Sequence, residues 1–212
     1  MSRSSAAAIT LANGARVYEV DGKSLPSVTT ILRSGGLAPD YRAIDPGILA
    51  TAAQRGVDVH AACEAVDKGL RVEPATEAAY GKYVDAYRQF LADSGATLVA
   101  CETLVHHPEM GYAGTFDWVG NLNGRRCLVD RKVTAEIHHT YVAPQCAAYA
   151  EAWSDSVEEG VRGIYSLHLR RDGTYRLREY DYAGAWEAFR CALQIYRYKT
   201  TAERARKPRE ES

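Results

Sequence analysis

The alternation of hydrophobic and polar residues is clearest between residues 111 and 133, which read GYAGTFDWVGNLNGRRCLVDRKV. Two runs rich in β-branched and aromatic residues flank Asn123-Gly124, a pair typical of the two-residue turn of a β-hairpin. With that turn, Asp117 lies directly opposite Asp130, and the ribbon has two unlike faces. One face is apolar except for Arg131 and carries Phe116, Trp118, Cys127, Val129 and Val133. The other face is polar and carries Thr115, Asp117, Asp130 and Lys132.

The two opposed carboxylates of the polar face need a positive partner, because like charges across a strand pair repel each other. Lys132 lies two residues after Asp130 and therefore points to the same side of the strand. Two interpretations stay open at this point. In the first, the lysine and the carboxylates form a surface ion pair of little energetic value. In the second, both carboxylates hold a hard divalent cation, Mg²⁺ or Mn²⁺, and Lys132 lies beside the water that the cation activates.

Helical periodicity describes much of the remaining chain. Asp45-Pro46 is a typical helix start, and the helix that follows is expected to run to about Gly69. His60 lies on its apolar stripe, where a histidine is more often a packed core residue than a metal ligand. The other long helices are expected over residues 75–93 with Gly95 as C-cap, from Pro144 to about Trp153, and from about Ala183 onward.

Residues 97–107 form a strand candidate that ends at Pro108 and leads into the central hairpin. Glu102 is the polar exception in this run, and two placements are equally compatible with the pattern: near Asp117, or at a solvent-exposed edge. The other expected elements are a hairpin over residues 161–169 and 174–182 across Asp172-Gly173, a small hairpin over residues 8–20 with Asn13-Gly14 as its turn, and a short helix after Pro26-Ser27.

Composition narrows the class of protein. The chain has 212 residues, 46% of them hydrophobic and 25% charged, and its formal net charge is −1. These values suit a soluble globular domain and exclude a globally basic field, so any nucleic-acid binding must use a local patch. No apolar run reaches membrane-spanning length and no signal peptide is evident, so we expect an intracellular, cytoplasmic protein. The five cysteines are scattered, which predicts small buried thiols without a disulfide.

Five motifs follow one another along the chain: RGVDVHAACE around His60, then Glu102, GTFD ending at Asp117, VDRK with Asp130 and Lys132, and QCAAY from Gln145 to Tyr149. In order and spacing they resemble the PD-(D/E)XK nuclease superfamily, and specifically its RecB-like and phage-exonuclease branch. The segment LPSVTTIL is also similar to the mitochondrial genome maintenance exonuclease and its phage relatives. The resemblance spans residues 25 to about 153, and five ordered motifs are far more specific than the D-x-K element alone.

The resemblance implies a fold and a domain plan. We expect an α/β restriction-endonuclease-like core, in which helices flank a central mixed β-sheet of about five strands. A single nuclease domain then spans residues 1–212, with an N-terminal hairpin and short helix over 1–44, the nuclease core over 45–203 and a charged tail over 204–212.

The resemblance also implies a metal centre. The ligands expected for Mg²⁺ or Mn²⁺ are His60, Asp117, Asp130 and the main-chain carbonyl of Arg131. Relatives with an iron–sulfur cluster carry three cysteines after the core, where this chain has only Cys191, so no iron–sulfur cluster is expected.

Lys132 is expected to orient or deprotonate the attacking water, with a pKa lowered by the neighbouring cation. Gln145 and Tyr149 are expected to steady the site or the DNA backbone, and Glu102 completes the catalytic candidates. The cation would offset the negative charge that builds up on the phosphate oxygens during hydrolysis.

These assignments predict a metal-dependent deoxyribonuclease, an exonuclease that acts on DNA ends or single strands in recombination, repair or phage replication. Two alternatives remain: a site-specific or structure-specific endonuclease of the same fold, and a catalytically inactive DNA- or protein-binding module. DNA is the expected partner, duplex opening is expected to need a helicase or recombination protein, and no membrane is expected. The oligomeric state stays open. The candidate phosphate contacts are Arg55, Arg131, Arg170 and Arg171. For Arg131, which is the polar residue on the apolar face of the ribbon, a carboxylate behind the sheet is the alternative partner.

Overall fold

The computed structural model describes residues 7–12, 15–157 and 159–206. The strands are β1 (Ala7–Ala12), β2 (Ala15–Val20), β3 (Lys23–Leu25), β4 (Thr97–His107), β5 (Tyr112–Leu122), β6 (Arg125–Lys132), β7 (Gly163–Leu169) and β8 (Tyr175–Tyr180). The helices are α1 (Val28–Ser34), α2 (Pro46–Asp67), α3 (Pro74–Ser94), α4 (His139–Ser156) and α5 (Tyr182–Arg206).

A five-stranded mixed sheet in the order β4-β5-β6-β7-β8 forms the centre of the molecule. All neighbouring strands are antiparallel except β6 and β7, which are parallel and are joined through α4. One core packs this sheet against α2 and α3, and a second core packs its other face against α1, α4 and α5. The prediction of an α/β fold with a central mixed sheet flanked by helices is therefore confirmed. The smaller sheet β1-β2-β3 completes the described elements.

Local sequence signals predict most element boundaries correctly. Asp45 caps α2 by accepting from Gly47 and Ile48, and Gly95 ends α3 in the left-handed conformation that glycine favours. The hairpin across Asp172-Gly173 is also present. The predicted Asn13-Gly14 turn lies outside the described residues. Of the described helices, none is both long and apolar enough to cross a membrane.

The predicted start of α4 at Pro144 is wrong. The helix begins at His139, and the amides of Tyr141 and Val142 already donate to the carbonyl of His138. A proline near a helix start removes only one intrahelical hydrogen bond, and the burial of Val142 in the core favours continuing the helix toward its N-terminus. The final helix differs too, because it includes residues 204–206 of the predicted tail; residues 207–212 lie outside the described part.

The central hairpin has the predicted register from Trp118 opposite Val129 to Leu122 opposite Arg125. The predicted pairing of Asp117 with Asp130 is wrong, because the ladder ends one pair earlier. The predicted apolar face is also wrong for Phe116. This ring packs in the core with α4, edge-on to Trp153 at 5.3 Å, whereas Trp118 packs in the opposite core with α2 and α3. The alternation inverts at the residue between them because the β5–β6 ladder ends at Trp118. Asp117 therefore lies at the point where β5 separates from β6.

All five cysteines are free, as predicted. Cys63, Cys127 and Cys146 are buried, and burial raises the pKa of the Cys63 thiol to about 12. The expectation of buried thiols is wrong for Cys191, which is exposed on α5, and for Cys101, which is half-buried.

Candidate metal and nucleic-acid site

One cavity of about 710 Å³ collects the side chains of all five motifs. It lies between the helices α1, α2 and α4 and the strands β2 and β4 to β6, at the point where β5 leaves β6. The predicted residues that line it are His60, Glu102, Asp117, Asp130, Lys132, Gln145 and Tyr149. The sequence places these residues up to 89 positions apart along the chain, from 60 to 149, so their convergence is a property of the fold.

Asp117 replaces a missing ladder bond. The Arg131 amide, which would have continued the pairing of β6 with β5, donates instead to Asp117 Oδ2 at 2.7 Å. Asp117 Oδ1 then faces His60 Nδ1 at 3.4 Å. The other ring nitrogen of His60 donates to the Arg131 carbonyl at 3.0 Å, so this carbonyl, a predicted metal ligand, already accepts one hydrogen bond. These contacts fix both the carboxylate and the imidazole ring.

Glu102 belongs to the site rather than to a solvent-exposed edge. Its Oε1 lies 3.7 Å from His60 Nδ1, beside Asp117. One ligand atom from each of His60, Glu102 and Asp117 lies within 4.8 Å of the others, and in the described part of the chain this is the one such group of three. Asp130, a predicted ligand, lines the same cavity but is not a member of that group.

The charges in the site shift its pKa values in opposite directions. Burial disfavours the His60 imidazolium, but the charge and hydrogen bond of Asp117 outweigh it and raise the pKa of His60 to about 9. Burial likewise disfavours the Asp117 carboxylate, but His60 outweighs it and holds the pKa of that carboxyl below its usual range. Asp130 behaves differently: burial, reinforced by the charge of Asp117, raises its pKa to about 6 despite the nearby Lys132.

Lys132 lies beside Asp130, with Nζ 2.7 Å from Oδ2. Burial alone would lower the pKa of Lys132, but the carboxylates of Asp130 and Asp117 outweigh it and raise the pKa. This direction is opposite to the one expected beside a cation. The Lys132 ammonium is therefore the charged partner of the buried Asp130 Oδ2.

Gln145 and Tyr149 share one face of α4, as their spacing predicts, and Gln145 Nε2 donates to the Tyr149 hydroxyl at 3.3 Å. The amide oxygen of Gln145 is buried without a donor. The Tyr149 ring occupies the space next to Gly114, where an added Cβ would lie 2.3 Å from Tyr149 Cε1. The glycine of the GTFD motif therefore makes room for this ring.

Of the two partners predicted for Arg131, the DNA phosphate is wrong and the carboxylate behind the sheet is confirmed, because the side chain is fully buried. Its guanidinium donates to Asp67 Oδ2 and to Glu102 Oε1, each at 2.9 Å, and lies over the Tyr87 ring at 5.3 Å from the centroid. Tyr87 in turn donates to Asp67. The sequence analysis missed Asp67 and Tyr87, although an arginine on an apolar strand face demands a carboxylate, and Asp67 lies two helical turns after His60.

The remaining arginine predictions concern residues outside the catalytic cavity. Arg55 and Arg171 line a neighbouring cavity of about 370 Å³. Arg170 lines that cavity and a further one of about 280 Å³. The cavity of about 710 Å³ is also lined by Tyr18, whose hydroxyl is 3.2 Å from Thr115 Oγ1. No sequence signal links Tyr18 to the site, because it lies on β2, far from the motifs.

No protein-family model matches the sequence, and no curated protein matches it either. Among solved structures, the chain is similar to LHK-Exo in complex with dAMP, with a TM-score of 0.44, 11% identity and coverage of 84% of this chain and 89% of that one. It is also similar to an alkaline exonuclease, LHK-Exo from Laribacter hongkongensis, with a TM-score of 0.40, 12% identity and coverage of 84% and 93%. Similarity to SSO0001 has a TM-score of 0.27, 16% identity and coverage of 66% and 74%. At these identities and scores, the function has to be inferred from the side chains of the site.

Proposed function

We propose that this protein is a divalent-metal-dependent deoxyribonuclease. The observation that carries the proposal is one cavity that holds an imidazole, four carboxylates and a lysine amine, contributed by α2, β4, β5 and β6. A buried cluster of acids is costly unless a positive charge compensates it. Arg131 compensates Glu102 from behind the sheet, and a proton on His60 compensates Asp117; a divalent cation between these groups would take the place of that proton.

The donor set fits Mg²⁺ or Mn²⁺. Carboxylate oxygens suit both ions, and an imidazole nitrogen is compatible with Mn²⁺. His60, Glu102 and Asp117 would hold the ion, and Asp130, which lines the same cavity, would join them. When bound, such an ion offsets the charge of a phosphodiester and makes a bound water a stronger nucleophile.

The protein's own groups have separate tasks in this proposal. The hydrogen bond from the Arg131 amide holds the Asp117 carboxylate against β6, with its other oxygen free to face the ion. Lys132 lies where its ammonium can donate to a phosphate oxygen or align the attacking water. Gln145 offers a buried amide oxygen that has no hydrogen-bond donor within the described part of the protein. The Tyr149 ring limits how deeply a substrate can enter the cavity.

The motif order supports an exonuclease that acts on DNA ends or single strands. A site-specific or structure-specific endonuclease is the first alternative, because it would use the same side chains. The two differ on closed circular DNA, which an end-dependent enzyme leaves intact. A catalytically inactive binding module is the second alternative, and it would shift labelled DNA without releasing products in Mg²⁺ or Mn²⁺.

The proposal is tested by incubating end-labelled single-stranded, double-stranded and closed circular DNA with Mg²⁺, Mn²⁺ or EDTA. Wild-type protein should release products from the linear substrates with either ion and none with EDTA. Lys132→Ala and Asp130→Ala should abolish cleavage while keeping the native circular dichroism spectrum. Lys23→Ala and Asp85→Asn change the same residue types at exposed positions and should retain activity. Metal-dependent cleavage that survives in both site variants would refute the proposed chemistry.

A further inference from the structure

A basic surface continues the catalytic face of the sheet across β7 and β8. In the register of the strands, Lys132 on β6 lies beside His168 on β7, which lies opposite Arg176 on β8. In the neighbouring row, Asp130 lies beside Ser166, and Ser166 lies opposite Arg178. Side chains that are directly beside each other in a sheet share one face. Two strand spacings separate Lys132 from Arg176, a distance of about 10 Å.

This surface is polar because alternate residues of the hairpin serve opposite faces. Leu167 and Leu169 point into the core with α3. The residues that alternate with them along β7 point to the opposite side of the sheet, which is the side of the cavity. We call that side the basic face, and its residues are Ser166, His168, Arg170, Arg176, Arg178 and Tyr180. Arg176 and Arg178 are exposed, whereas Ser166 is buried. His139, the first residue of α4, contacts this face with Nδ1 2.7 Å from the Tyr180 hydroxyl.

Among the residues that the structure describes, the arginines of the basic face have no carboxylate in direct contact, although the hydrogen bonds of Thr174 and then the charge of the nearby Arg170 lower the pKa of the Asp172 carboxyl. Within the described part of the chain, no carboxylate oxygen lies within 4.0 Å of Arg170, Arg176 or Arg178. On other surfaces, Arg88 has two such partners and Arg125 has one. No acidic residue is among those that line the cavity of about 280 Å³ between these arginines and His139. Their field also reaches the imidazole, because burial and then the charges of Arg178 and Arg176 lower the pKa of His139.

Fixed neighbours hold the basic face in shape. Ser166 and His139 both hydrogen-bond the Tyr180 hydroxyl, at 2.8 and 2.7 Å, and Arg178 lies over the Tyr180 ring at 5.9 Å from the centroid. His168 bonds the carbonyl of Thr134 at 2.8 Å, which joins β7 to the segment that follows Lys132. A concave surface of arginines on a rigid hairpin suits a repeating, sequence-independent anion such as a sugar–phosphate backbone.

We propose that the basic face holds the sugar–phosphate backbone of the nucleic-acid strand on one side of the cleaved bond. The inference rests on the proposed nuclease function and adds to it the direction in which the strand leaves the catalytic cavity. From Lys132 the strand passes His168 to Arg176 and Arg178, and it continues past Arg170 toward Arg55 and Arg171, because the cavities on either side of Arg170 adjoin through that residue.

The test is equilibrium binding of a fluorescent 20-nucleotide single strand in EDTA, where no cleavage occurs, over a range of NaCl concentrations. Arg176→Gln/Arg178→Gln is compared with wild type and with Arg88→Gln/Arg190→Gln, which removes the same charge from exposed, ion-paired arginines elsewhere. The loss of two phosphate contacts should reduce the slope of log K against log salt by about 1.4 and weaken binding at 0.1 M salt by roughly 25-fold. The control should bind like wild type.

DNA and RNA strands of the same sequence should lose equal affinity, since only the backbone is contacted. In Mn²⁺ the double variant should show a raised KM for DNA cleavage with kcat nearly unchanged. Wild-type-like binding and salt slope in the double variant would overturn the inference, as would an effect confined to kcat. If the double variant unfolds, Arg170→Gln alone should reduce the slope by about 0.7, and no change would be equally decisive. The two proposals can fail separately. If the variant loses salt-dependent binding but the wild-type protein cleaves nothing, the nuclease proposal is refuted and the inference about the basic face stands.

Discussion

At the scale of single residues, Arg131 explains how the acids of the site can lie so close together. A buried guanidinium needs carboxylates, and Arg131 has two of them, Asp67 behind the sheet and Glu102 at the edge of the cavity. Glu102 therefore has one oxygen directed to Arg131 and also lies near His60. The arginine thus compensates part of the negative charge from behind, outside the reach of substrate.

We expect Arg131→Met to lower the free energy of unfolding by about 3–5 kcal/mol, because it leaves the buried Asp67 carboxylate without its cation. Urea denaturation measures the loss. Arg131→Met/Asp67→Leu removes both buried charges and should cost less than the sum of the two single variants. Arg190→Met breaks an exposed pair with Glu187 and should change stability by less than about 0.5 kcal/mol. Equal effects of Arg131→Met and Arg190→Met would contradict this account.

Gly114 is the residue whose smallness the site uses most directly. Gly114→Ala should lower stability by about 1–3 kcal/mol, because its new Cβ would lie 2.3 Å from the Tyr149 ring. Thermal or urea unfolding measures the change, and Tyr149→Leu in the same chain should recover part of it. Gly81→Ala is the matched control, since the nearest atom to its Cβ would be 3.9 Å away. In the middle of α3 that change should instead stabilise by about 0.5–1 kcal/mol.

At the scale of elements, the site depends on two neighbouring irregularities. Glu102, in the middle of β4, has φ at +44°, and it is the one position between Cys101 and Thr103 without a ladder partner on β5. Opposite it, β5 leaves β6 at Asp117. A regular ladder would alternate side chains strictly and could not turn Asp117 toward both His60 and the Arg131 amide.

Alternation of polarity predicts where such strands run and how they pair, and here it gives the correct register of Trp118 with Val129. It cannot predict the inversion at Asp117, because Phe116 and Trp118 are both large and apolar and fit either core equally well. The left-handed backbone at Glu102 has no sequence signal, since glycine or asparagine would usually mark such a position. The misplaced face of Phe116 follows from these two facts.

Backbone strain at Glu102 can be measured by comparing two variants that both lose the carboxylate. Glu102→Gly should be more stable than Glu102→Ala by about 1 kcal/mol, because only glycine adopts the left-handed region without cost. At the adjacent Thr103, which has a regular partner in Phe116, the order should reverse and alanine should be the more stable. Urea unfolding of the four proteins decides the question. If alanine is the more stable residue at both positions, the backbone at Glu102 is not strained.

At the scale of the whole molecule, the sequence predicts the residues of the cavity better than the contacts among them. The five motifs identify His60, Asp117 and Lys132 because their residue types and order are unusual. Nothing local identifies Asp67 or Tyr18, whose roles arise only when α2 and β2 pack against the sheet. The partner of Arg131 is a tertiary fact of this kind, and so the phosphate contact predicted for that arginine was wrong.

Metal binding in the cavity should also stabilise the folded protein as a whole. An ion that binds the folded cavity but not the unfolded chain must raise stability, by about 2.7 kcal/mol when its concentration is 100 times Kd. For a chain of this size that corresponds to a rise in Tm of roughly 5–10 °C with Mn²⁺ or Mg²⁺. Asp117→Asn and His60→Ala should remove the rise, because each takes away one atom of the three-ligand group. Asp85→Asn on the surface should keep it, and differential scanning calorimetry with and without EDTA compares all four proteins. A rise in Asp117→Asn equal to that of wild type would place the ion outside this cavity and remove the main support for a metal-dependent reaction there.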